Sequence, residues 1–194
     1  VIPEKASSFK VEMFQPKDGK DCFEIESKGN KIILRGNYGV SVASALYHYL
    51  KYYCNAHISW NGDNLNLPSR LPEVPKKITR PTAFDHRVYL NYCTISYTMA
   101  WWNWERWQRE IDWMAMHGIN MPLAVIGQEA VWQNTLRRFK MNDDEIRTFL
   151  VGPAFQAWQW MTNIETYGGP LPQSWIDSHQ ALGQQILERQ RELG

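Results

Sequence analysis

The sequence predicts an α/β chain in two parts: a small α+β unit, then the opening βα units of a parallel-sheet architecture. Three observations predict it. Short alternating apolar segments fill residues 1–67. A proline-rich stretch, PSRLPEVPKKITRP (68–81), interrupts them. After it come a β-prone run, a long amphipathic helix, a glycine and a nearly continuous apolar run, which is the βαβ order. The 194 residues suffice for one mid-sized core, or for a small domain plus part of a larger one. With 44% hydrophobic and 21% charged residues, the composition is that of a folded chain. A formal net charge of +1 gives no reason to expect a nucleic-acid or anionic-membrane partner. No run of about 18 apolar residues offers a membrane span. The start, VIPEKASSFK, has no basic-then-apolar signal segment, although a removed signal would leave the same start. Cys22, Cys54 and Cys93 are too few and too scattered for a disulfide framework or a zinc cluster.

In the first part, Phe9, Val11 and Met13 alternate with polar residues, as do Phe23 and Ile25; both read as half-buried antiparallel strands. Gly29-Asn30 turns a hairpin into Ile32-Ile33-Leu34. Val40, Ala43, Leu46, Tyr47 and Leu50 recur at three and four, an amphipathic helix that starts near Gly39 or Ser41 and ends before Asn55. Residues 57–60 and 64–67 flank Asn61-Gly62, which fits a two-residue type I′ turn. His48 and His57 read as structural. Residues 1–67 thus form a small α+β domain, 68–83 a proline-rich linker, and 84–194 a second domain of which only the beginning is present.

The second part opens on Val88-Tyr89-Leu90, followed by Asn91, Tyr92 and Cys93. Asn103 is placed to cap a helix whose stripe is Trp104, Trp107, Ile111, Met114 and Ala115, with Glu105 in its first turn. His117-Gly118 stops it. The run INMPLAVIG (119–127) has the apolar character of a parallel strand buried on both faces, with Pro122 awkward in a central position. A helix follows from Glu129; Asn142 caps another; Gly152-Pro153 starts a third, on which Trp158 and Met161 lie three apart and share a face. TYGGPLP (166–172) is a loop, and Ser174 is placed to cap a last helix. In such an architecture the ligand site lies at the carboxyl ends of the strands, here residues 91–97 and 127–129. Two parallel strands close no barrel, so the chain reads as the front of a larger protein.

No phosphate-binding, zinc-protease or nucleophile-elbow motif is present. The outlier is 10 tryptophans. Flat aromatic faces beside Asn and Gln suit sugar rings, whose C–H faces stack while amides take the hydroxyls. Asp85, Glu105 and Glu129 are the candidate carboxyls for glycosidic chemistry, which needs a pair flanking the bond. Glu129, just after the second strand, stands out, yet a first-turn carboxylate favoured by the helix field accounts for it. Cys93 has no partner of the kind a nucleophile needs and reads as a small pocket-wall or core residue.

NYCTISYTMAWWNWERWQREIDWMAMHGINMPLAVIGQEAVW (91–132), GPAFQAWQWM (152–161) and GGPLPQSW (168–175) closely resemble the alpha-N-acetylglucosaminidase family. These are retaining glycoside hydrolases that include a lysosomal heparan-sulfate-degrading enzyme and bacterial relatives. The resemblance covers the chain weakly before residue 80 and strongly after it. It implies a small N-terminal α/β domain, a (β/α)8 TIM barrel of which this chain holds the opening βα units, and a helical C-terminal domain. It also carries pocket residues over: Asn91 and Cys93 after the first barrel strand, with Trp158 and Met161 on a helix, around a terminal N-acetylglucosamine. The family's two catalytic glutamates lie further along the barrel and have no counterpart in residues 1–194. The implied activity is therefore that of the full-length parent, which removes terminal alpha-linked N-acetylglucosamine from glycans with retention, while this fragment is inactive. No metal or organic cofactor is implied. The expected partners are such a glycan, the rest of the barrel and the helical domain, with no nucleic acid and no membrane. Pro122 and Val125-Ile126 depart from the lysosomal member, and no N-x-Ser/Thr sequon occurs, which favours a bacterial origin. The expected compartment is secreted or periplasmic in a bacterium and lysosomal in an animal. The rival reading is a non-catalytic carbohydrate-binding or adhesion module that keeps the aromatic surface.

Overall fold

In the structure, a computed structural model that describes residues 1–15 and 19–194, the chain divides into two units. One comprises Val1–Val88, Glu110–Met121 and Glu192–Gly194; the other comprises Tyr89–Arg109 and Pro122–Arg191.

The first unit is organised by Gly29-Asn30, which closes the hairpin between β2 (Cys22–Lys28) and β3 (Lys31–Gly36) through the pair Lys28↔Lys31. Gly29 alone has positive φ, +59°, as a type II′ turn requires of its first central residue. β1 (Phe9–Met13) was expected to be antiparallel and lies parallel to β3 instead, Phe9 facing Ile32. The order β1-β3-β2-β6, with β6 being Ile78–Pro81, is the reason: β2 returns against β3, so a strand on β3's far side that enters before β2 runs β3's way. At that edge Val11 and Met13 are exposed, and the buried apolar set comes from Ile25, Ile32 and Leu34. α1 (Gly39–Tyr53) packs over the sheet with Ala45, Tyr49 and Leu50 fully buried. Charges on the sheet pair up: Arg35 bonds Glu12 and Glu26, each at 2.6 Å, with Glu24 at 3.6 Å.

Two further features of this unit differ from expectation. Within the segment read as an extended connection, β6 (Ile78–Pro81) adds a fourth strand against β2, and Val74 is buried, its N–H donating to Ser27 Oγ at 2.7 Å. Tyr49 Oη donates to Pro72 O at 2.6 Å and ties the same segment to α1. The prolines keep the segment extended, which is also the conformation of an edge strand. Second, β4 (His57–Ile58) pairs with β5 (Asp63–Asn64) around a four-residue loop, residues 59–62, instead of a two-residue turn. Neither Asn61 nor Gly62 has positive φ. Ser59 Oγ–Gly62 O, at 2.6 Å, and the Trp60 indole N–H, which reaches both oxygens of Glu110 at 2.9 and 2.8 Å, hold the wider loop.

β7 (Val88–Tyr89) and β8 (Met121–Pro122) pair, with Met121 N donating to Arg87 O and Leu123 N to Tyr89 O. Both strands advance two residues between bonds, the parallel pattern. Pro122 is accommodated because the residues on either side of it donate, to Arg87 just before β7 and to Tyr89 within it. Met121 and Ala124 are exposed, so the run is not buried on both faces; among the described residues no further strand covers its other edge.

After β7 come a short turn of helix, α2 (Tyr92–Thr94), a π-helical turn (Ile95–Met99) and α3 (Trp104–Met116), which Asn103 Oδ1 caps by accepting from Arg106 N at 3.0 Å. α3 ends at Gly118, φ +77°, in the expected C′ position. α4 (Gln128–Arg138) and α5 (Asp143–Phe149) follow, α5 with a full capping box between Asn142 and Glu145. A 3₁₀ turn, Pro153–Phe155, leads into α6 (Gln156–Trp160). α7 (Gln173–Leu193) starts one residue before Ser174, which therefore lies in its first turn; Gln173 Nε2 donates to Asp177 Oδ1 at 2.8 Å. A second core gathers Ala130, Ile146, Leu150, Leu171 and Ile176. Among the described residues no helix is long and apolar enough to cross a membrane.

Candidate functional site

Polar and aromatic groups collect where the chain leaves β7. Leu90 has φ +76°, a left-handed conformation that a branched apolar residue adopts only at a cost. It turns the chain so that Asn91 becomes the cap of α2: Asn91 Oδ1 accepts from Thr94 N at 3.0 Å and Thr94 Oγ1 at 2.9 Å. This occupies the oxygen and leaves the amide Nδ2 of an exposed side chain as a donor. Cys93, on α2, is a half-buried free thiol. The π-helical turn that follows is a conformation frequent at functional sites.

α6 lies against this segment. Ser96 Oγ accepts from Ala157 N at 3.0 Å, and both groups are buried. Tyr97 meets Trp158 edge-on, centroids 5.1 Å apart, and Tyr92 lies 6.3 Å from Trp160. Trp158 is half-buried, in contrast to Trp107, which is 2% exposed. Met161 N donates to Ala157 O, so the helical turn continues through Met161 and keeps it near the face of Trp158. Two supports fix α6: Gln159 accepts from Val151 N and donates to Phe149 O, and Gly152 abuts Gly168, whose carbonyl would lie 2.2 Å from a Cβ at position 152. Asn91 and Cys93 thus stand on one element, Trp158 and Met161 on the element packed against it.

Among the candidate carboxyls, Asp85 and Glu105 are exposed. Glu129 sits in the first turn of α4 as expected, yet it is 1% exposed, and the helix field does not set its chemistry. Burial pushes its carboxyl up to about 7, partly offset by its own amide, the Trp175 indole and the Gly127 amide. Oε1 accepts from Trp175 Nε1 at 3.1 Å, while Oε2 is buried with no hydrogen-bond partner among the described residues. Gln128 Oε1 and Gln156 Nε2 are in the same condition. Buried, unpartnered polar atoms are uncommon, and these flank the post-strand segment and α6. The burial of these Gln128 and Gln156 atoms is not legible in the sequence; glutamines beside a strand end and within a helix carry no local mark of it. Among the described residues no group of His, Cys, Asp and Glu is placed to hold a metal ion.

Two family models match the chain: the Alpha-N-acetylglucosaminidase (NAGLU) N-terminal domain over residues 1–73 and the Alpha-N-acetylglucosaminidase (NAGLU) tim-barrel domain over residues 87–194. Human alpha-N-acetylglucosaminidase is 41% identical over 196 residues, 99% of this chain and 26% of the human protein. Among solved structures, a family 89 glycoside hydrolase from Clostridium perfringens in complex with 2-acetamido-1,2-dideoxynojirmycin superposes with a TM-score of 0.96 at 39% identity. So does a variant of that enzyme in complex with its substrate GlcNAc-alpha-1,4-galactose; each match covers 98% of this chain and 22% of the other. The chain thus spans about a quarter of the length of these relatives. Both successive domains are matched in their order along the sequence, and the chain belongs to the alpha-N-acetylglucosaminidase family.

Proposed function

We propose that this chain is the N-terminal domain and the opening of the catalytic barrel of a retaining glycoside hydrolase that removes terminal alpha-linked N-acetylglucosamine, and that Asn91, Cys93, Trp158 and Met161 are its share of the sugar-binding wall. In this reading residues 1–67 form the N-terminal domain and 84–194 begin the barrel. Residues 68–83 join them, while packing with the first. A retaining enzyme needs two carboxyl groups about 5–5.5 Å apart across the glycosidic bond, one a nucleophile and one an acid/base. None of the four wall residues is a carboxyl; their part is to bind and orient. The Asn91 amide donates to a sugar oxygen, the Trp158 ring, braced edge-on by Tyr97, offers an apolar face, and Cys93 and Met161 leave room and soft apolar contact. The observation that carries the reading is the Ser96–Ala157 bond, which ties the polar turn after β7 to the aromatic face of α6. The Clostridium relative's complexes with a substrate and an iminosugar support the ligand class.

The test is hydrolysis of an aryl alpha-N-acetylglucosaminide. The full-length gene product cleaves it, and residues 1–194 alone give no rate above blank. Turnover by residues 1–194 that Glu129→Gln abolishes would contradict this division of labour. A full-length protein that binds the sugar without cleaving it would make the chain part of a binding module.

A further inference from the structure

The first unit contains a cleft of about 350 Å³ along α1, within the size range of small-ligand sites. Ser41, Ser44, His48 and Lys51 of α1 line one wall, spaced three, four and three apart on one helical stripe. The start of β2 and the end of β6, with Thr82 after it, line the other. At one end lies a row of rings: Phe23 to His48 at 5.4 Å and His48 to Tyr52 at 4.5 Å between centroids. A cation stands at each end of the row. Arg80 faces Phe23 directly across the β2–β6 pair, and directly opposed residues share a sheet face. Lys51 Nζ lies 5.4 Å from the Tyr52 ring centroid. Arg80 and Lys51 are both exposed, and neither has a carboxylate partner among the described residues.

Among the described residues that line the cleft the one carboxylate is Asp21, which is bonded to Arg87 and to Asn120 Nδ2 and does not neutralise Lys51 and Arg80. The remaining titratable groups facing it are Cys22, Tyr47, whose hydroxyl is 2.9 Å from His57 Nδ1, and His117. Burial first, then Arg80 and Lys51, hold the His48 imidazole below its ordinary value, so the cations act on the same ring the aromatic row passes through. The hydroxyl oxygen of Ser44, already donating to Ala115 O, remains an acceptor among the cleft's lining residues, whereas Thr82 Oγ1 both donates to Phe84 O and accepts from Phe84 N.

We propose that this cleft binds a ring-borne oxyanion, a carboxylate or sulfate carried on a sugar or aromatic ring, with the ring against Phe23, His48 and Tyr52 and the anion between Lys51 and Arg80. It is an accessory site, separate in the chain from Asn91, Cys93, Trp158 and Met161, and it involves no bond making.

The test is calorimetric titration of the full-length protein with four probes: glucuronate, benzoate, acetate and glucose. Glucuronate, benzoate or both bind with a Kd on the order of 1 mM, as expected of so small a ligand. Acetate, which lacks the ring, and glucose, which lacks the charge, bind at least about tenfold more weakly. Whichever of the first two is tighter identifies the ring. Lys51→Gln and Arg80→Gln, both on exposed side chains, each weaken binding about five- to tenfold while hydrolysis of a neutral aryl alpha-N-acetylglucosaminide is unchanged. Absence of saturable binding, acetate equalling both ring acids, or binding indifferent to both variants would overturn the proposal. A wild-type protein that binds glucuronate or benzoate but shows no hydrolysis would overturn the catalytic reading and leave this one standing.

Discussion

Glu110 in the first unit and Glu129 in the second are each 1% exposed, each lies on a helix, and each accepts from the indole N–H of a tryptophan distant in sequence. Their surroundings differ. Both oxygens of Glu110 lie within 2.9 Å of Trp60 Nε1. Glu129 uses one oxygen; the other is buried without a partner among the described residues, and the carboxyl is pushed up to about 7. A buried carboxylate held on both oxygens acts as a fastener between segments. One held on a single oxygen is a polar group left over by its own unit, and in this second unit Gln128 Oε1 and Gln156 Nε2, the latter on α6, share that state. The contrast teaches that the first unit satisfies this buried acid on both oxygens, whereas the second leaves its buried acid half satisfied among the described residues.

The largest expected effect probes the second unit's interior. Trp107→Ala removes a ring that is 2% exposed and should cost about 3–5 kcal/mol in chemical denaturation. A loss below about 1 kcal/mol would mean that this unit is loosely packed throughout, and the contrast between Trp107 and Trp158 would vanish.

Next in size is the pH dependence of Glu129. Its folded value, about 7, lies above the ordinary 4.5, so the folded state favours the protonated acid. The resulting stability is fully present below about pH 4.5 and is lost as the pH rises through about 7, by about 3 kcal/mol in all. Glu129→Gln, neutral at every pH, removes this dependence. Urea melts near pH 5 and pH 8 should show the variant gaining on the wild type at the higher pH. Equal pH slopes for the two proteins would place the Glu129 carboxyl in contact with water or a cation.

Gly152→Ala should cost about 1–3 kcal/mol, because its Cβ would lie 2.2 Å from the Gly168 carbonyl oxygen and the backbone must move. Since that contact sets the start of α6, inhibitor affinity should fall with stability; a fall in stability alone would detach α6 from the site. The smallest effect is expected at Glu110. Glu110→Gln keeps one oxygen for Trp60 and should cost about 1 kcal/mol near pH 8, the opposite sign to Glu129→Gln under the same conditions. Like signs for the two substitutions would erase the difference between the two acids.

What was legible in the sequence is what neighbours in the chain decide. Gly29-Asn30, Asn103, Gly118 and Asn142 mark their turns and helix ends by local chemistry, and each does in the structure what its residue type suggests. The departures come from partners far away. Asn61-Gly62 has the composition of a tight hairpin, but Trp60 reaches 50 residues along to Glu110, and the loop widens around it. The prolines of 68–81 suggest a connection; that β2 has an open edge for Ile78–Pro81 is not written in the segment itself. Glu129 reads as a first-turn carboxylate favoured by the helix field; that it is buried and accepts from Trp175, 46 residues later, is not written beside it. Of the proposed site, the turn after β7 and the aromatic spacing on α6 could be read; the Ser96–Ala157 bond that joins them, 61 residues apart, could not.

The central claim is that the face of α6 bearing Trp158 meets a sugar and not the protein interior. The most direct measurement is the affinity of the full-length protein and its Trp158→Ala variant for an N-acetylglucosamine-like iminosugar, with thermal melts on the same preparations. The account predicts an inhibition constant at least about tenfold weaker, a loss of about 1.4 kcal/mol or more in binding, with a melting temperature lowered by only a few degrees. An unchanged inhibition constant in a variant that has lost about 3–5 kcal/mol of stability would place Trp158 in the core and contradict it.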